Sequence, residues 1–122
     1  MLKTRLILAT ALLCACASRP GPPETPLAPH QAAEQVVNAL LEAADPAAED
    51  AVETWRSAHA TFEEQLEPLL RDRFGDREVA QIEYEFGLLR SRLGTGQAAE
   101  SARILGEHVA AMCADLPNPS TS

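Results

Sequence analysis

The sequence predicts an all-α protein, a small up-down bundle of four helices that follows a signal peptide and a proline-rich linker. Between residues 30 and 116, apolar side chains recur at alternating steps of three and four, the spacing that puts them on one face of a helix. No stretch alternates apolar and polar residues with period two over the length of a strand. Turn residues at Asp45-Pro46, Gly75-Asp76 and Gly94-Thr95-Gly96 break the helical pattern at short intervals, and short connections favour antiparallel neighbours. Because the first helix is short and alanine-rich, a three-helix core with a looser first helix is the alternative.

The chain opens with Lys3 and Arg5, followed by the uncharged apolar run Leu6-Ile7-Leu8-Ala9-Thr10-Ala11-Leu12-Leu13. A positive start, a short apolar stretch and a small-residue exit form the secretory signal pattern. A spanning helix needs roughly 20 apolar residues, and this run is over before Arg19 and Pro20. The exit, Leu13-Cys14-Ala15-Cys16, resembles the lipobox of bacterial lipoproteins, with an aliphatic residue at −3 and a small one at −1 before the cysteine that receives lipid. The resemblance implies cleavage after residue 15, acylation of Cys16 with diacylglycerol and palmitate, and attachment to a membrane. Plain secretion with cleavage after Ala17 is the alternative. Ala17 stands where an aspartate would retain a lipoprotein in the inner membrane, so the expected location is the outer membrane, facing the periplasm.

Loss of residues 1–15 removes Lys3 and Arg5 from ten basic residues and leaves eight arginines against 18 acidic residues, a net charge of −10. Such a surface repels phosphate backbones, which argues against nucleic acid as a partner. Of the three cysteines, Cys14 leaves with the signal peptide and Cys16 takes lipid. Cys113 then has no intramolecular partner: it lies buried on a helix as a small apolar side chain or pairs between chains.

Residues 16–29 form the lipidated cysteine and its tether, with five prolines in the twelve positions 18–29. As polyproline these twelve would reach roughly 37 Å. The domain occupies 30–116, and the tail 117–122 is expected to be disordered. The first helix runs from His30 to Ala44, with Ala33, Val36, Val37, Leu40 and Leu41 on one face. Asp45 is the expected N-cap of the second, which begins at Pro46 and continues to Phe74. Its stripe is Val52, Trp55, His59, Phe62, Leu66, Leu69 and Arg73. Pro68 inside it removes the donor that would bond Glu64 and predicts a kink or break near 64–68. The third helix, Arg77 to Leu93, carries Val79, Ile82, Phe86, Leu89 and Leu93; the fourth, Gln97 to Leu116, carries Ala98, Ala102, Leu105, Val109, Met112 and Leu116.

No phosphate-binding glycine loop, haem-attachment motif or His-Glu-x-x-His is present, and the expectation is a protein that is not an enzyme. His59 is the most informative polar residue, since it occupies a position in the apolar stripe. Glu63 and Glu67 follow at i+4 and i+8 along the same side. An imidazole with carboxylates suits a first-row transition metal when a second helix adds oxygen ligands, and Glu83 and Glu85 are the contributors expected from the third helix. The alternative is that His59 makes one hydrogen bond at the core edge while the glutamates face water. His108 and Met112, also at i and i+4, would both reach one side of a haem, which axial ligation forbids.

From about Glu53 to Leu116 the chain resembles the periplasmic helical domain that precedes the membrane part of some bacterial iron permeases. The resemblance lies in Phe62-Glu63, Leu66-Glu67 and Glu83-x-x-Phe86-x-x-Leu89-Arg90, followed by a small-residue turn and another amphipathic helix. It implies iron handling, with Glu63, Glu67 and Glu83 as ligands. The Arg-Glu-x-x-Glu element of the transport pore is missing, because Arg77-Glu78 is followed by Gln81, so the likeness is to the accessory domain alone. The expected function is a lipid-anchored envelope domain that binds iron or copper through His59, Glu63, Glu67 and Glu83 and assists a metal-transport protein. The alternative is a structural or adaptor lipoprotein that docks on an envelope protein without metal.

Overall fold

The computed structural model describes residues 27–117; the expected signal peptide, the expected lipidation site Cys16, residues 17–26 of the expected tether and the tail from 118 onward lie outside them. Four helical rods form within that span, with no strand among the described residues. The first is α1 (Pro29–Ala44). The second joins α2 (Ala51–Thr61), a π-helical turn (Phe62–Leu66) and α3 (Glu67–Phe74). The third is α4 (Asp76–Arg92) and the fourth α5 (Ala98–Ala114). Short connections reverse the chain each time. The rods close into a ring in which α1 packs on α2 and α5, α3 on α4, and α4 on α5. No helix among the described residues is long and apolar enough to cross a membrane.

Helix α1 starts on Pro29, where a missing N–H costs nothing. The Gln31 side chain reaches back to accept from the Ala28 N–H at 3.3 Å. Ala32, Ala33, Val36, Leu40, Ala43 and Ala44 are buried, whereas Leu41 is 48% exposed and Val37 half-buried. The alanines that suggested a loose helix instead permit close approach. A Cβ added to Gly106 would sit 3.3 Å from Val37 Cγ1, so glycine lets α5 come up against α1. The bundle therefore has four rods in its core, and α1 is a full member.

Asp45 does not cap the second rod. Its Oδ1 accepts from the Ala47 N–H at 2.9 Å and stabilises a turn, and the helix begins at Ala51. Further along, Pro68 meets a π-helical turn. The Glu67 N–H bonds the Phe62 carbonyl, an i→i+5 bond that inserts one residue into the helix. The wider turn accommodates the proline, which has no N–H to offer Glu64. It also resets the register: Ala58, Phe62, Leu66 and Leu70 are buried at steps of four. In a pure α-helix such steps drift about 40° each, and one extra residue takes about 100° back. The predicted stripe thus fails after the π turn. Leu69 is 43% exposed and Leu70 fully buried. Arg73 faces out, its guanidinium over the Phe74 ring at 5.2 Å, and Phe74 packs against the core.

Gly75 turns the chain with φ of 98°, a conformation that resists side-chain-bearing residues. Arg71 secures this corner, bonding Glu67 on α3 (2.6 Å) and Asp76 at the start of α4 (2.8 Å). On α4 and α5 every expected core residue is buried except Leu93, which is half-buried. Ser101 is buried too and accepts from Arg92 at 2.8 Å, joining α5 to the end of α4. Phe62 and Phe86 are the largest fully buried side chains, each contributing roughly 1.5–3 kcal/mol of burial free energy.

Candidate metal centre

The α2 helix carries Trp55 and His59 one turn apart, so their rings stack with centroids 4.9 Å apart and an interplanar angle of 28°. The indole N–H donates to the Phe86 carbonyl of α4 at 3.1 Å. The His59 ring lies 4.7 Å from that of Phe86. Wedged between an indole and a phenyl ring, the imidazole has little freedom and presents Nε2 toward α4. There it lies 2.7 Å from Glu83 Oε1 and 3.5 Å from Glu63 Oε2.

Glu83 is the hub. Its Oε1 engages His59, while its Oε2 is buried with no hydrogen-bond partner. Burial raises its carboxyl above the ordinary carboxylate range; the hydrogen bond and charge of His59 oppose that, and neighbouring Glu67 and Glu63 reinforce it. Glu67 adjoins Glu83 but belongs first to Arg71, at 2.6 Å. Carboxylates placed side by side repel unless a proton or a cation lies between them.

Of the four expected ligands, His59, Glu63 and Glu83 are brought together, each offering one atom within 4.8 Å of the others. Glu67 stands beside this set and is not part of it. Bound at about 2.0–2.2 Å, adjacent ligand atoms lie about 3–3.5 Å apart, so small side-chain rotations would close the three around an ion. One imidazole nitrogen and two carboxylate oxygens leave coordination positions open and suit a divalent first-row metal. Because Glu63 is half-exposed, an ion could enter from solvent.

Glu85 departs from expectation. Two residues beyond Glu83 it points about 200° away around the helix and meets α5. His108 Nδ1 lies 3.0 and 3.2 Å from its two oxygens, and Gln81 donates to it at 3.1 Å. Helix α4 is thus gripped on both sides by a histidine–glutamate pair. His108 is committed to Glu85 rather than to a site with Met112, which is buried. Sequence reasoning missed Arg71 as a member of this neighbourhood and gave no role to the Trp55 N–H. A buried indole needs an acceptor, which flags Trp55, but nothing in the spacing identifies Phe86.

Cys113 is 1% exposed, and burial pushes its thiol up to about 11. It borders a groove of about 460 Å³ between α1 and α5, with His30, Ala33, Val37 and Ala110. No family model, curated protein or solved structure matches the chain.

Proposed function

We propose that this protein is a lipid-anchored, non-enzymatic domain of the bacterial cell envelope that binds a transition-metal ion, iron or copper, and assists a metal-uptake protein. The observation that carries the reading is Glu83, which holds His59 Nε2 at 2.7 Å with one oxygen and keeps the other buried and unpartnered, within reach of Glu63. An ionised Glu83 with this oxygen undonated and Glu67 and Glu63 beside it is costly, and a cation bound there would offset the cost in place of a proton. The net charge of −8, which becomes −10 on removal of residues 1–15 with Lys3 and Arg5, adds attraction for cations. The likeness of the 53–116 stretch to the accessory domain of iron permeases supports iron. Location rests on the Leu13-Cys14-Ala15-Cys16 signal.

Isothermal titration with ferrous, ferric and cupric ions tests the proposal. Binding tighter than about 100 μM, a free energy of about −5.5 kcal/mol, is expected for at least one ion and should weaken in Glu83→Ala and Glu63→Ala. Absence of such binding, or unchanged binding in both variants, sinks it.

A second reading draws on the groove between α1 and α5 and on the exposed side chains Leu41, Ile104 and Tyr84. In it the domain is an adaptor that docks on an envelope protein without metal. Stoichiometric copurification of a membrane partner that survives chelator would favour this reading over the first.

A further inference from the structure

We infer that Arg71 governs the metal centre by competing with the ion for Glu67, so that filling the site transfers Glu67 from the α3–α4 corner to the metal as a fourth ligand. This rests on the metal-binding reading of His59, Glu63 and Glu83.

Glu67 is in an unusual position for a glutamate. Its side chain is only 16% exposed, it stands one helical turn beyond Glu63, and its carboxylate adjoins that of Glu83. Two acids facing each other across a helix–helix contact repel unless a proton or a cation lies between them. On the Glu67 side a cation is supplied by Arg71 NH2, 2.6 Å from Glu67 Oε2. The same guanidinium uses Nε to hold Asp76 at 2.8 Å. Arg71 is half-exposed and held more basic than usual, first of all by its bond to Glu67.

Arg71 is therefore a fork with one prong on the centre and one on the first residue of α4. When an ion lies between Glu83, Glu63 and His59, its charge satisfies Glu67 directly and Arg71 becomes redundant there. Glu67 stands one helical turn beyond Glu63 and beside the His59, Glu63 and Glu83 set, and it would reach the ion by turning its carboxylate away from Arg71. The π turn immediately before Glu67 supplies a backbone that departs from the regular helical ladder at this point. Arg71 then keeps Asp76 alone. Occupancy of the centre is read out at the Gly75 corner, at the bottom of the bundle's second hairpin.

The test is a double-mutant cycle on the whole protein with Co2+ as the probe, followed by visible absorption. Arg71→Gln should tighten Co2+ binding about fivefold, the scale of one exposed ion pair removed from the competition. In a Glu67→Gln background the same change should alter affinity by less than about twofold, because the competed ligand is gone. Glu67→Gln alone should weaken binding and change the Co2+ ligand-field bands. Equal effects of Arg71→Gln in the two backgrounds would mean that Arg71 acts only through its field, and would overturn the inference. Should Arg71→Gln unfold the corner, Arg71→Lys keeps the charge and loses the fork, and must still tighten binding in wild type but not in Glu67→Gln. If wild type binds neither Co2+ nor any of the ferrous, ferric and cupric ions more tightly than about 100 μM, the metal reading falls and takes the inference with it; if only an iron or copper ion binds, the same cycle is run by titration of that ion. If wild type binds and the cycle is flat, the reading stands and the inference alone fails.

Discussion

His59 Nε2 lies 2.7 Å from Glu83 Oε1, across the contact between α2 and α4, while the other oxygen of Glu83 is buried and unpartnered. An imidazole stacked on Trp55 and set against Phe86 thus meets a carboxylate with one oxygen unsatisfied. The bundle holds that arrangement from both sides, through Trp55 bonding the Phe86 carbonyl and through the corner at Gly75.

The pH dependence of stability follows from Glu83. Its folded carboxyl is raised above the ordinary glutamate value of 4.5, chiefly by burial. A raised folded value favours the protonated form in the native state. Its contribution is thus complete below about pH 4.5 and lost as pH rises through the folded value. In chelator, Glu83→Gln should therefore gain on wild type in thermal unfolding as pH rises from about 4.5 to 7. A difference that stays constant across that range contradicts the role given to burial.

The π turn makes a local prediction about the core. Leu70 is fully buried and Leu69 is 43% exposed. Leu70→Ala should cost about 2–5 kcal/mol in denaturant unfolding, and Leu69→Ala about 0.5 kcal/mol or less. Comparable losses at the two sites would restore the uninterrupted α-helical register.

That register marks the boundary of what the sequence could reveal. The four rods and nearly all of the α4 and α5 core follow from spacing alone, because a regular helix repeats every 3.6 residues. The second rod obeys a local exception. Ala58, Phe62, Leu66, Leu70 and Phe74 recur every four residues, a signal that an α-helix cannot satisfy, and Pro68 supplies the reason for the inserted residue. The candidate site was legible where its candidate ligands share a helix, at His59 and Glu63. Across helices it was ambiguous: Glu83 and Glu85 are two residues apart, and the packing of α2 and α5 around α4 decides which histidine each one meets. The Arg71 fork depends on the one-residue corner at Gly75, which composition cannot position.

Cys113 should behave as a core residue. Burial takes its thiol from 9.0 to about 11, and the thiolate fraction at pH 8 falls about 100-fold. Alkylation followed by peptide mapping should show Cys113 protected in the native protein and modified quickly after unfolding. Rapid native labelling contradicts its placement. Because the folded value is raised, the stability it confers persists below about pH 9 and is lost as pH passes through about 11.

The proposed anchor at Cys16 can be tested apart from the bundle. Radiolabelled palmitate should be incorporated into the wild-type protein in a bacterial host, and Cys16→Ser should abolish incorporation and release the protein from the membrane fraction. Unlabelled wild type, or a Cys16→Ser protein that stays in the membrane fraction, contradicts lipidation at Cys16.

The central claim is that His59 supplies the nitrogen of a metal site completed by Glu63 and Glu83. Electron paramagnetic resonance of the protein with one equivalent of Cu2+ tests it most directly. One bound species coupled to a single imidazole nitrogen is expected, lost in His59→Gln and retained in His108→Gln. A hydrated-copper spectrum, or a nitrogen signal that survives His59→Gln, would contradict it.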